Sequence, residues 1–570
     1  MTRFSLDDLR ALPKNNDLRL GRLLPGGWTI LVGAIAIAIA TPILFVFANI
    51  FAEPQVSFGQ DNTTSLWQHL AETVLGDYIQ NSLVLMLGSS IGVLVIGVGT
   101  AWLVVACRFP GSGIFEWALL LPLAVPTYLL AYTYTDLLGV AGPLQQAIRD
   151  WLQVSYGEYW FPSIRSMGGA IALFAFTLYP YVYMLARVAF LEQSGCTLEA
   201  SRSLGCGPWR SFVTVALPLA RPAIAAGLSL VMMETLNDFG TVQYFGINTF
   251  TTGIYNTWFG MGDRVAASKL AAFLMLFVFI LIVLERFSRR RARYYQSTGS
   301  DRTVPPYQLT GIRAAAASLV CLLPCAIGFL LPAGILLKMS LDNLQTFDHR
   351  FWELSQHSFG LAVATAILGV AIALIIAYGV RLQPNALMRF SARVASMGYA
   401  IPGAVIAVGI LIPMGNLDNS IDAWMRSQFG ISTGLLLSGT VFALIFAYIV
   451  RFLAVSFGTV ESSLNKIHPN LDAAARSLGH NTTSTLLRVH IPMMASSLLT
   501  AGMLVFVDVM KELPATIIIR PFNFNTLAVR VYNLASDERL AEAAAPALAI
   551  VLVGIVPVIL LSWQISRARQ

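Results

Sequence analysis

Four carboxylates are the side chains best placed to do chemistry: Glu234, Asp238, Asp508 and Glu512 stand near the ends of two long apolar runs. At a spacing of 274 residues, Glu234 corresponds to Asp508 and Asp238 to Glu512. A carboxylate at membrane depth is costly unless it is paired, wet or functional. All four are therefore candidates for a solute pathway or gate. Lys511, beside Glu512, offers the plainer explanation of a local ion pair or interfacial anchor. Tyr132, Tyr134 and Tyr244 are further oxygen donors, but aromatic belts place tyrosine at such positions anyway. No metal ligand is assigned among them.

A second constellation is polar and occurs twice. "RSLGCGPWRSFVTVALP" runs from Arg202 to Pro218, and "RSLGHNTTSTLLRVHIP" from Arg476 to Pro492, with each proline thirteen residues after the glycine. In the first copy, 197–204 suits a short helix with Glu199 favourably placed in its first turn. Gly205 supplies a left-handed stop, and Pro208 suits the first turn of a second helix. The second copy predicts a helix over 471–478, Gly479 as its stop, and Asn481 or Thr482 as the next N-cap. Small residues (Ala200, Ser201; Ala474, Ala475) fall on the first helix, which is expected to be exposed so that another protein's groove can approach its backbone.

Other chemistries lack their residues. No GxxxxGK[ST] occurs, and none of the five lysines follows a glycine, so the lysine of a phosphate-cradling loop is missing. H-E-x-x-H is absent, and the two G-x-S-x-G matches, GSSIG at 88–92 and GISTG at 430–434, lack the strand-to-helix turn that would make either a site for a membrane enzyme. The chain is expected to be no enzyme and to bind no cofactor of its own. The five cysteines form no CxxC pair, which points to no disulfide framework or zinc site. Cys321 and Cys325 share one face of an apolar helix as small packing residues.

These groups must be carried by membrane helices. The chain is 56% hydrophobic and 12% charged, with a mean hydropathy of +0.68, whereas a soluble domain carries about 25% charged residues. Its apolar runs are continuous rather than alternating, which excludes a β-barrel. About twelve spans of the ~20 residues needed to cross a bilayer are expected. They centre on 28–51, 80–106, 114–138, 168–190, 216–240, 266–285, 313–340, 358–381, 394–415, 433–457, 490–510 and 542–564. The first is too long and too far inside the chain for a cleavable signal. The net charge of +7 clusters before the first span, after the sixth and after the last. This positive-inside pattern places both termini and the middle linker in the cytoplasm and argues against a nucleic-acid surface.

The spans repeat. Ser82 matches Ser358 and Pro126 matches Pro402 at a spacing of 276, while Gly205 and Gly479 are 274 apart. Six spans per half is an even number, so the halves are parallel repeats about an axis along the membrane normal. The first half is 1–285, with its insert at about 191–217. A basic linker follows over 286–312, and the second half is 313–570, with its insert at about 458–491.

The spacing Glu-Ala-x-x-x-x-Gly followed by Leu-Pro resembles the EAA loop of ABC-importer permeases, the helix that docks into the ATPase subunit. The resemblance covers both halves and implies an all-α, type I importer fold. Docking would use Glu199, Ala200, Ser201, Gly205 and Pro218 in one copy, and Asp472, Ala474, Ala475, Gly479 and Pro492 in the other. The second copy departs from the pattern: Ala473 stands where glutamate is usual, with Asp472 one residue early, which implies unequal docking contacts. "DFGTVQYFG…FTTGIY" and "ELPATIIIRPF…TLAVRVY" resemble the fused permeases of bacterial ferric-iron importers. That implies an inner-membrane permease served by two ABC ATPase subunits, which hold ATP and Mg, and by a periplasmic ferric-binding protein. Fused importers of thiamine, phosphonate or another small solute share this design. A secondary transporter would not need the paired inserts.

Overall fold

The computed structural model describes residues 27–52, 57–58, 64–192, 201, 203–290 and 306–567. Ten of its helices are long and apolar enough to cross a bilayer, the first being Gly27–Phe51 and the last Leu540–Ile559. Two bent pairs bring the number to as many as twelve: Ser112–Ala124 with Thr127–Leu152, at 89°, and Thr482–Met493 with Ala495–Met510, at 78°. Each predicted span has its helix or bent pair. Large apolar side chains such as Ile37, Ile91, Val95 and Ile367 point outward along these helices, as a lipid-facing surface requires.

Proline sets the break in the third span and its counterpart in the ninth. A residue before proline is pushed out of the helical region. Val125, before Pro126, has φ −105° and ψ 114°, and Ile401, before Pro402, has φ −89° and ψ 126°. The third and ninth spans are thus interrupted at matching positions. The ninth differs from its expected 394–415: a helix Ala386–Ala395 ends early, and the spanning helix is Gly403–Phe429. Its far end is held by buried Asp418, which accepts hydrogen bonds from the amides of Leu437 (2.9 Å) and Ser438 (2.7 Å).

The two repeats interlock. The first span packs on Ala386–Ala395 and Gly403–Phe429 of the second half. Thr29 Oγ1 donates to Gln383 Oε1 at 2.8 Å, and Gly409 lies so close to the Pro42 carbonyl that a Cβ there would be 2.4 Å from its oxygen. Reciprocally, the seventh span, Gly311–Asp342, packs on the first half. Cys325 Sγ donates to the Ala118 carbonyl at 3.3 Å, and Tyr134 Oη to that of Ile327 at 2.6 Å. A short parallel pairing of Cys107–Arg108 with Tyr307–Gln308 fastens the end of the linker to the end of the second span.

Candidate functional site

The inserts lie at one end of the helices, between the fourth and fifth spans and between the tenth and eleventh. In the second copy a helix runs over Asn470–Ser477 and stops at Gly479, whose φ is +82°. His480 N donates to Ala475 O at 3.0 Å, the closing bond of a Schellman turn. Asn481 is the N-cap of Thr482–Thr485, accepting from Ser484 N at 2.7 Å. The first copy makes the same turn: Gly205 has φ +79° and Cys206 N donates to Ser201 O at 3.0 Å. Then comes Pro208–Ser211, with proline at its first position. Added Cβ atoms at either glycine would meet nothing within 4 Å among the described residues, and the left-handed backbone itself favours glycine.

Both copies then enter their spans through one π-turn, Phe212–Ala216 and Leu486–His490, closed by Leu217 N to Phe212 O and Ile491 N to Leu486 O. Pro218 and Pro492 follow directly. A proline ring collides with the carbonyl four residues back and leaves it without a donor. The wider turn moves that carbonyl aside.

The side chains correct one expectation. Ala474 is exposed, but Ser201 and Ala475 are buried, each 5% exposed. They face their own protein, where small size lets the insert's two short helices close on each other. Ser201 Oγ lies 2.5 Å from Ser211 Oγ. Leu204 and Leu478, at matching positions, are instead 84% and 78% exposed, apolar tips that the sequence reading passed over. Glu199 and Ala200 lie outside the described residues. Asp472 is an internal anchor. Its Oδ2 accepts from Arg381 Nε (2.9 Å) and Nη2 (2.7 Å), and its Oδ1 lies 2.8 Å from buried His490 Nε2, off the line of a good hydrogen bond. Arg381 also donates to the carbonyls of Leu464 and Ile467.

The four carboxylates converge. Glu234, Asp238, Asp508 and Glu512 line one cavity of about 110 Å³, together with Asn237, Lys511, Arg451, Tyr128, Tyr181 and Tyr399. Lys511 pairs with Asp508 at 3.0 Å rather than with its neighbour Glu512. A residue three back on a helix shares its face, whereas an adjacent one does not. Glu512 is held by Arg451 Nη1 at 2.7 Å and by Ala515 N at 2.9 Å. Asp238 accepts from Thr127 Oγ1 (2.8 Å), Thr241 N (2.9 Å) and Val242 N (3.2 Å). Each of these two carboxylates therefore also caps the short helix that follows it, Gly240–Phe245 or Pro514–Ile519. Glu234 accepts from Tyr399 Oη at 3.2 Å and makes no ion pair among the described residues.

Gly403 makes room for the second arrangement. A Cβ there would lie 2.3 Å from Arg451 Nη1 and 2.9 Å from Glu512 Oε1. Its counterpart in the first half is Thr127, the residue that donates to Asp238. Asn237 Oδ1 accepts from Gly403 N at 2.8 Å, joining the halves across the cavity. Arg451, Arg381 and Thr127 were not singled out from sequence. Arg451 carries a usable signal, a lone arginine inside the apolar run "FALIFAYIVRFLAV", since intramembrane charges mark partners or pathways. Among the described residues, no three His, Cys, Asp or Glu side chains come together as a metal site.

Known proteins resemble this chain in sequence. A family model, binding-protein-dependent transport system inner membrane component, matches residues 93–294 and 369–570. Each matched segment holds one insert and one carboxylate pair, and the interlocking first and seventh spans lie outside both. The Fe(3+)-transport system permease protein FbpB 2 of Haemophilus influenzae is 25% identical over 94% of this chain and 98% of its own length. The molybdenum transport system permease protein ModB of Escherichia coli is 31% identical over 35% of this chain and 88% of its own. The sulfate transport system permease protein CysT of Escherichia coli is 30% identical over 34% and 72%. All three are transport permeases rather than enzymes. With two family segments, two matching inserts and ten to twelve elements long and apolar enough to cross a membrane, the chain belongs to the binding-protein-dependent transport system inner membrane components and is a multi-pass permease of an ABC importer.

Proposed function

We propose that the cargo is ferric iron. The observation that carries this reading is the charge of the cavity lining: four carboxylates against two cations, Arg451 and Lys511. The two cations are taken by Glu512 and Asp508. Glu234 and Asp238 are left with only neutral donors. Two uncompensated carboxylates in a low-dielectric cavity attract a cation and repel molybdate or sulfate. Hard oxygen donors also suit a hard ion. The full-length likeness to an iron permease supports the same cargo.

In this reading Glu234, Asp238, Asp508 and Glu512 form the pathway. The inserts dock one ATPase each, through Leu204, Leu478 and the helices ending at Gly205 and Gly479, while Pro218 and Pro492 transmit the movement into the spans. Glu199 and Ala200 belong to the first docking helix. A periplasmic ferric-binding protein loads the opposite end, and both termini lie on the ATPase side. ATP and Mg stay on the partner subunits. Their closure moves the inserts, and the cavity is opened first to one side and then to the other. Such a change is driven only by the difference in affinity of the partners for the two states.

The test is uptake of labelled ferric iron by cells carrying this chain with its ATPase and binding protein, with molybdate, thiamine and phosphonate in parallel. Iron uptake that fails with an inactive ATPase, and falls in Glu234→Gln and Asp238→Asn, supports the reading. Accumulation of another solute instead of iron would overturn it.

A further inference from the structure

A row of phenols leaves the cavity on one side only. Tyr128 lines the cavity at the start of Thr127–Leu138. One helical turn on, Tyr132 has its ring 5.8 Å from that of Tyr128, and Tyr244 lies edge-on to Tyr132 at 4.6 Å. Tyr244 Oη accepts from Arg165 Nη2 at 3.0 Å, and Arg165 pairs with exposed Glu538 at 3.7 Å. The row thus runs from the carboxylates to a charged rim at the end of the molecule away from the inserts.

Two features set these tyrosines apart from packing residues. Tyr128 and Tyr132 are 4% and 1% exposed, and neither hydroxyl has a hydrogen-bond partner among the described residues. A buried hydroxyl without a partner is destabilising, and phenylalanine would fill the same space without that penalty. The second half has no such row: the matching positions hold Ala404, Val408 and Ile518. The repeated fold therefore does not require phenols there.

We propose that Tyr128, Tyr132 and Tyr244 line the passage between the rim at Arg165–Glu538 and the acidic cavity, their oxygens serving as successive weak donors to a hard cation. The passage is closed in this structure by the packed rings. Each orphan hydroxyl gains its partner only while an ion passes. This inference rests on the reading of the cargo as ferric iron.

The experiment uses the whole importer in proteoliposomes, with binding protein carrying radiolabelled ferric iron outside and ATP available to the ATPase. Tyr128→Phe and Tyr132→Phe should each slow iron entry about tenfold, while melting at or above the wild-type temperature and keeping the ATPase stimulated by loaded binding protein. Tyr134→Phe is the control. Its hydroxyl is already bonded to Ile327 O, so its loss should lower the melting temperature and leave uptake unchanged. Wild-type iron entry that is unaltered in the Tyr128→Phe/Tyr132→Phe double variant overturns the passage alone. A wild-type importer that moves no ferric iron overturns the cation reading and this inference with it.

Discussion

The two inserts have one backbone and two different chemistries. Their turns agree to within a few degrees at Gly205 and Gly479, and both continue into a π-turn and a proline. Beneath the first lies an aromatic cluster: Trp102 is 5.5 Å from Phe190 and 5.0 Å from Phe212, with Trp209 5.4 Å from Phe212. Beneath the second lies an ion pair of Arg381 and Asp472 beside buried His490, and the matching sequence positions of the first half hold Val105, Leu198 and Ala216. The cavity repeats the contrast. Asp238 is held by a threonine and two amides, whereas its counterpart Glu512 is held by Arg451, which replaces Thr177. Turn geometry is fixed by glycine and proline, which act on the chain itself. Support from below asks only that a space be filled or a charge be answered, and several side-chain sets do that.

Substitutions can break this comparison. The largest effect is expected from Trp102→Ala, which removes the centre of the aromatic cluster and should destabilise the first half by about 3–5 kcal/mol. Hydrogen exchange should then quicken over 203–217 and not over 470–490. A symmetric response would show that the halves are not supported separately. Next is Arg381→Met, which strands Asp472 and should cost about 1.5–3 kcal/mol. Here exchange should quicken over 470–478 alone, and Asp472→Ala should restore part of the loss. If Asp472→Ala adds to the damage, the pair is not the anchor.

Gly205→Val and Gly479→Val sharpen the shared part of the comparison. Each forces a β-branched residue to a positive φ, at about 1–3 kcal/mol, and the two losses should match. Both should uncouple ATP hydrolysis from uptake in an inserted protein, and wild-type uptake by the double variant would contradict the coupling role. The smallest effect belongs to Ser201→Ala, at about 1 kcal/mol, because the second half already carries alanine at the matching position, Ala475. A melting shift as large as that of Trp102→Ala would mean that the Ser201–Ser211 contact, not the aromatic cluster, supports the insert.

Much of the architecture was legible because a bilayer imposes length and polarity on every segment that crosses it. The spans, the repeat, the left-handed glycines and the Asn481 cap all follow from local chemistry. Side-chain direction was harder to read. Ala474 and Ala475 are neighbours in an alanine run, yet one is exposed and the other buried, because a helix turns through 100° per residue and nothing in the run marks its inner face. Lys511 was paired with the wrong acid for the same reason: adjacency in sequence is not adjacency on a helix.

The sequence by itself determined that the chain carries about twelve apolar segments of membrane-spanning length in two repeats, each with one polar insert stopped by glycine. Those outcomes depend on composition and on single-residue dihedral limits, which are local. Only the tertiary structure decided that the first and seventh spans pack on the opposite halves, and that Glu234, Asp238, Asp508 and Glu512 meet in one cavity with Arg451 and Lys511. Contacts between residues hundreds of positions apart depend on how helices pack, and helices of similar apolar surface carry few marks of their partners.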